Sequence, residues 1–76
     1  MPATAFRVLN VRPLIAHGVD PLGEIRARLA ALPAGQGLTV LAPFLPAPLI
    51  ELLRSEGYWA SIERRSDGWA AHFWRD

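Results

Sequence analysis

Tyr58-Trp59-Ala60-Ser61-Ile62-Glu63-Arg64-Arg65-Ser66-Asp67-Gly68-Trp69-Ala70-Ala71-His72-Phe73-Trp74-Arg75 is a pair of alternating segments joined at Ser66-Asp67-Gly68. Alternation at period two is the pattern of strands with one buried face, and Asp-Gly supplies the positive-φ position that a short hairpin loop needs. The stretch therefore reads as an antiparallel β-hairpin. In its first arm Tyr58, Ala60 and Ile62 alternate with Trp59, Ser61 and Glu63. In its second arm Trp69, Ala71 and Phe73 are expected to face a core, which sends His72 and Trp74 to the opposite face, where Trp59 joins them.

Upstream of the hairpin, Gly57 is a natural stop for a helix over Ala47 to Glu56, with Leu49, Leu52 and Leu53 on one side and Glu51, Arg54 and Ser55 elsewhere. The Ala42-Pro43-Phe44-Leu45-Pro46 segment breaks a short buried strand, Leu38-Thr39-Val40-Leu41. Before that strand, Pro33 and Gly35-Gln36-Gly37 end a first helix whose apolar stripe is Leu22, Ile25, Leu29 and Leu32. Asp20 suits its N-cap and Pro21 its first position, because a proline there removes only an N–H that would lack a partner. Leu14 to Val19 contains Gly18 and no helical period, and reads as a loop of about six residues. Phe6 to Arg12 alternates as a first strand, with Leu9 and Val11 on one face and Val8 and Asn10 on the other, ended by Pro13.

The order is β-α-β-α-β-β. Two helices with single apolar stripes and four strands predict a two-layer α/β sandwich of the α+β kind: two helices on one face of a four-stranded mixed sheet, the other face open. Right-handed crossovers through the helices make the first three strands parallel and the fourth antiparallel. Val8, Thr39 and Leu41 then share the open face with Trp59, His72 and Trp74.

The chain has 76 residues, 51% hydrophobic and 20% charged, which is globular rather than disordered and suits one domain over residues 1–76 with one modest core. Eight arginines against seven acids leave a net charge of +1, no basic stripe and no field for steering a polyanion, so RNA or DNA is the weakest of the partner classes. No apolar run reaches the ~18 residues that span a bilayer, and Met1-Pro2-Ala3-Thr4 lacks the charged and apolar regions of a leader. The expectation is a cytoplasmic protein without membrane contact. There is no cysteine.

This element order, with Leu9-Asn10-Val11-Arg12 before a loop and a Pro-led first helix, resembles the TusA/SirA-like family of small sulfur carriers over nearly the whole chain. In that family a Cys-Pro-x-Pro motif opens the helix and its thiolate carries a persulfide. Here the matching place reads Asp20-Pro21-Leu22-Gly23, so persulfide relay is carried over to no residue. Closer is the cysteine-less, uncharacterised branch of that fold, a domain of unknown function with Val-Arg-Pro, Gly-x-Asp-Pro and Ala-Pro-Phe-x-Pro-x-Pro-Leu blocks. This chain has Val11-Arg12-Pro13, Gly18-Val19-Asp20-Pro21 and Ala42-Pro43-Phe44-Leu45-Pro46-Ala47-Pro48-Leu49. The resemblance implies strand order 1-2-4-3 and partners of a hemerythrin-like, redox or nitrogen-oxide-related kind; it implies no agreed activity.

Two surfaces emerge as candidates. Arg12, His17, Asp20 and Phe44 are expected near the C-terminal ends of the first two strands, where open α/β sheets place ligand crevices. Each also has a structural reading: Asp20 as a helix cap and partner of Arg12, Phe44 as a filler between the layers. An Asp cap competes with an anion for the same N–H groups, so a neutral or cationic ligand suits that crevice better than a phosphate. His17, His72 and Asp20 lie in different elements without ligand spacing, so no metal or other cofactor is expected. Ser55 and Ser61 have no nucleophile elbow around them, and no catalytic residue is assigned.

The second surface is the open sheet face, with Trp59, His72, Trp74, Leu41 and Val8 as interface candidates. Trp59 and Trp74 either pair across strands to shield the sheet or anchor a partner, tryptophan being a preferred interface residue. The leading reading is a non-catalytic interaction module that binds itself, as a dimer, or a redox-related protein. The second is a small-ligand-binding or catalytic domain using the crevice.

Overall fold

The computed structural model describes residues 5–75, and the Met1-Pro2-Ala3-Thr4 stretch, where no leader was expected, lies outside them. The elements are β1 (Ala5–Asn10), α1 (Arg12–Ala16), α2 (Leu22–Ala30), β2 (Gln36–Ala42), α3 (Ala47–Ser55), β3 (Trp59–Arg65) and β4 (Gly68–Trp74). The sheet order is β1-β2-β4-β3. β1 runs parallel to β2, and β4 is antiparallel to both β2 and β3, so β1, β2 and β3 share one direction. This is the expected mixed α/β sandwich.

One element was not legible. Leu14 to Val19 is not all loop, because α1 makes a single helical turn there with Pro13 in its first positions. Five residues are too few to display an amphipathic period. The turn is instead closed by backbone bonds: the Ile15 N–H donates to Val11 O at 3.0 Å, and beyond the helix Gly18 N–H donates to Ile15 O and Val19 N–H to Leu14 O, at 3.0 and 2.9 Å. Gly18, at φ +73, takes the left-handed position this closure requires. The same device ends α3. Gly57 at φ +96 follows Glu56, and the Gly57 and Tyr58 N–H groups donate to Arg54 O and Leu53 O. Among the described residues three helices, not two, therefore lie on the core side of the sheet, with Leu14 and Ile15 of α1 packed against that core.

The core forms where the sheet's inward residues meet the helix stripes. Leu9 and Val11 precede or follow the end of β1, Leu38, Val40 and Ala42 come from β2, and Ala71 and Phe73 from β4. Ile25 and Leu29 descend from α2, and Ile50 and Leu53 from α3. Ile50 is buried although the sequence pattern pointed to Leu49 and Leu52, which are only half-buried. A bidentate pair ties the helices together: Arg26 of α2 donates to both Glu56 carboxylate oxygens at 2.8 and 2.6 Å.

β2 is longer at both ends than its apolar run, because Gly37 belongs to the ladder and the turn falls on Gly35 at φ +80. Gly37 is needed for space. A Cβ there would collide with the Phe6 ring and stand 2.6 Å from Phe73 O. Its absence lets Phe6 lie down on the open face and meet His72 and Trp74 edge to face, with centroids 5.5 and 6.0 Å away. Gly37→Ala is expected to lower unfolding free energy by about 1–3 kcal/mol, as overpacking does. Urea unfolding measures this, and a wild-type midpoint in the variant would contradict the close approach.

Candidate functional site

At the C-terminal ends of β1 and β2 the layers part and leave a cavity of about 290 Å³. Val11, Val40 and Ala42 form its floor, and Ile25 of α2 with Leu49 and Leu52 of α3 form its walls. Asp20 and Phe44, two of the four residues expected in the crevice, stand at its rim. Phe44 is 52% exposed there, so it edges the space between the layers and does not fill it.

Arg12 and His17 do not join them. Arg12 is held by Asn10 Oδ1, which accepts from its backbone N–H and from Nε at 3.1 and 3.0 Å, and its Nη1 donates to Asp67 at 2.6 Å. The guanidinium therefore clamps the β3–β4 turn across the sheet end, and its acid is Asp67 rather than Asp20. His17 is exposed, its Nδ1 2.7 Å from Pro13 O within α1. α2 starts one residue later than expected: Pro21 is its N-cap, whose O accepts the first ladder bond from the Ile25 N–H, and Asp20 stands just before it with Oδ1 accepting the Leu22 N–H at 3.0 Å. Among the described residues no group of three metal-ligating side chains occurs.

The open face is set by register. One row across it is Val8, Thr39, His72 and Ser61; the next toward the β2 C-terminus is Asn10, Leu41, Ala70 and Glu63; Trp59 pairs directly with Trp74 at the other end. All five interface candidates therefore share this face. Val8 is 61% and Trp59 57% exposed, while Leu41, His72 and Trp74 are half-buried.

A polar chain crosses the middle. Thr39 Oγ1 lies 2.7 Å from His72 Nδ1, and His72 Nε2 lies 3.2 Å from Glu63 Oε1, which also accepts from Arg65. In the neutral tautomer that satisfies both contacts, Thr39 O–H donates to Nδ1 and Nε2–H donates to Glu63. Those hydrogen bonds, His72's before Arg65's, hold the Glu63 carboxyl below the usual carboxylate range. The order hydroxyl, imidazole, carboxylate has the look of a nucleophile relay, but Thr39 is 4% exposed in the middle of the sheet, where no substrate reaches its hydroxyl. The chain fixes the imidazole against the Phe6 ring and satisfies a buried hydroxyl. Phe6, Thr39 and Glu63 were not singled out in the sequence as site residues; the even-numbered positions of β1 would have placed Phe6 beside Val8.

Over residues 8–75, from the middle of β1 to the residue after β4, the sequence matches the family described as "Uncharacterized conserved protein (DUF2249)". The chain belongs to this family. The match covers the cavity walls, the Arg12 clamp and every open-face position from Val8 onward. No curated protein and no solved structure matches the sequence. Membership in the DUF2249 family thus brings no activity with it, and the site must be argued from its own chemistry. Among the described residues no helix is long and apolar enough to cross a membrane.

The Arg12 clamp has a pH signature. The hydrogen bond from Arg12, then its charge, holds the Asp67 carboxyl below the ordinary value. A depressed folded-state value means the contact stabilises the fold above the ordinary carboxylate range and is lost as pH falls through the folded value. The melting-temperature difference between wild type and Arg12→Gln is therefore expected to be present at about pH 6 and to shrink below about pH 4. Melting curves across that range decide it, a constant difference being the contrary result.

Proposed function

We propose that this domain is a non-catalytic interaction module that docks a protein surface, in the first instance a second copy of itself, on the open face of its sheet. The observation that carries the reading is Trp59, 57% exposed beside Trp74 and Phe6 on a face from which the described helices are absent. Such an aromatic, sparsely charged face is the composition of an interface centre. Burying the exposed part of Trp59 alone, about 100 Å², contributes about 2.5 kcal/mol.

The size of the face favours a second copy. Strands of six or seven residues at about 3.3 Å each and four strands about 4.8 Å apart give roughly 400 Å² of flat footprint, more once side-chain relief is counted. Two such faces approach the ~1,000 Å² that separates specific interfaces from incidental contacts. A two-fold axis in the interface, parallel to the strands, lays the Phe6, Trp74 and Trp59 end of one copy on the same end of the other.

The TusA-like resemblance fits a module that works by docking, with Asp20 in the place of the sulfur-carrying cysteine. It also implies a redox or nitrogen-oxide-related protein, such as a hemerythrin-like one, as the heterologous occupant of the same face. Sedimentation of wild type, Trp59→Ala and Val8→Arg at micromolar concentration tests the reading. A dimer in wild type and monomers in both variants, with unchanged far-ultraviolet circular dichroism, are expected. Identical mass in all three, with the fold intact, would sink self-docking.

A further inference from the structure

The cavity beneath Asp20 and Phe44 lies on the helix side of the sheet, apart from the docking face, and its chemistry is of a different kind. We propose that it is a binding site for an uncharged, ring-bearing small molecule. Three observations carry this.

The first is its wall. Floor and sides are apolar: Val11, Val40 and Ala42 below, Ile25, Leu49 and Leu52 around. An apolar space open to solvent on one side is poorly hydrated and gains by exchanging water for an apolar guest. The volume, about 290 Å³, is at the small end for ligand pockets and well above the ~150 Å³ of an engineered apolar cavity that accepts benzene. One or two rings fit.

The second is the mouth. Pro21, Pro46 and Pro48 meet Phe44 around the opening, which offers flat ring faces in place of flexible side chains. Val19, Phe44 and Leu45 are 50, 52 and 42% exposed in the two loops that flank it, so the apolar surface continues outward from the cavity. Planar guests gain contact on such faces at little cost in side-chain ordering.

The third is charge. Crevices at this position in open α/β sheets commonly take phosphates on helix N–H groups. Here several of the donors are withdrawn: Asp20 Oδ1 occupies the Leu22 N–H, the Ala47 N–H donates to Leu45 O, and Pro21, Pro46 and Pro48 have none to give. The Asp20 carboxylate is the one ionisable group among the lining residues, and it repels an anion. Its second oxygen makes no hydrogen bond among the described residues and is free to accept from a guest's single donor. Arg12 and Arg26, the cations that adjoin the lining residues Val11 and Ile25 and would reverse this preference, are engaged by Asp67 and Glu56.

The test is a titration of methyl-labelled protein with indole as the neutral probe and benzoate as the anionic one, followed by NMR. Saturable shifts of the Ile25, Val40, Leu49 and Leu52 methyls are expected with indole, half-complete at about millimolar concentration or below, and at least about tenfold weaker with benzoate. Leu52→Trp, which fills the cavity, should abolish the indole shifts, with Leu49→Phe as the second filling variant should the first fail to fold. Asp20→Asn keeps an oxygen that accepts the Leu22 N–H and should raise benzoate affinity toward that of indole. The proposal falls if indole gives no saturable shift by about 5 mM, if both filling variants respond like wild type, or if benzoate binds wild type as well as indole does. Shifts confined to the Val8 and Leu41 methyls would place the probe on the docking face and refute the cavity. Cavity methyls that shift when the protein alone is concentrated would make a second copy's side chain the occupant, which also refutes it while leaving self-association intact.

Discussion

Val40 and Phe73 lie fully buried in β2 and β4, in one cluster with Ile25 and Leu53 of the two longer helices. That layer contact is the constraint from which the rest of the molecule follows. Two nine-residue helices, each about 13.5 Å long, cover one face of a four-stranded sheet and have nothing left for the other. The inward positions must therefore be small or well packed, as Ala42, Ala71 and Val40 are, and the outward positions must either tolerate water or recruit another surface. The chain does both. Ser61, Glu63 and Arg65 solvate one corner of the open face, while Phe6, Val8, Trp59 and Trp74 make its other end apolar.

The same constraint opens the cavity. Helices that start at proline-led turns enter the layer abruptly, and the loops that feed α2 and α3 must climb from the sheet to helix height within a few residues. Arg26 and Glu56 tie the two helices away from their shared N-terminal end. At that end the described core residues are the modest Val11 and Ala42, and no large side chain fills the step, because Phe44 stays at the rim. The two candidate surfaces thus sit on opposite faces of one sheet. A partner on the open face leaves the cavity accessible.

Much of this was legible in the sequence. The hairpin, the stop at Gly57 and the assignment of Trp59, His72, Trp74, Leu41 and Val8 to one face all rest on local rules, whereas the strand order came from the family resemblance. Period-two alternation, proline at a helix start and glycine at positive φ are properties of a few neighbouring residues, and such rules survive folding unchanged when the core agrees with them. The single turn of α1 was missed because five residues show no period. Its helix is chosen by the Gly18 closure and by Ile15 packing on the core, not by propensity.

The partners of long polar side chains belonged to the tertiary structure alone. Arg12 reaches Asp67, 55 positions away, instead of the nearby Asp20, and Thr39 meets His72 only because β4 inserts beside β2. Phe6 over Gly37 and the unfilled step beneath Phe44 are likewise outcomes of how the layers meet. Sequence by itself determined the four strands, the two longer helices, their order along the chain and the two faces of each strand, since these depend on local backbone preference and on which side chains avoid water. Only the tertiary structure decided which charges pair and where space is left over, because both depend on distances between segments remote along the chain.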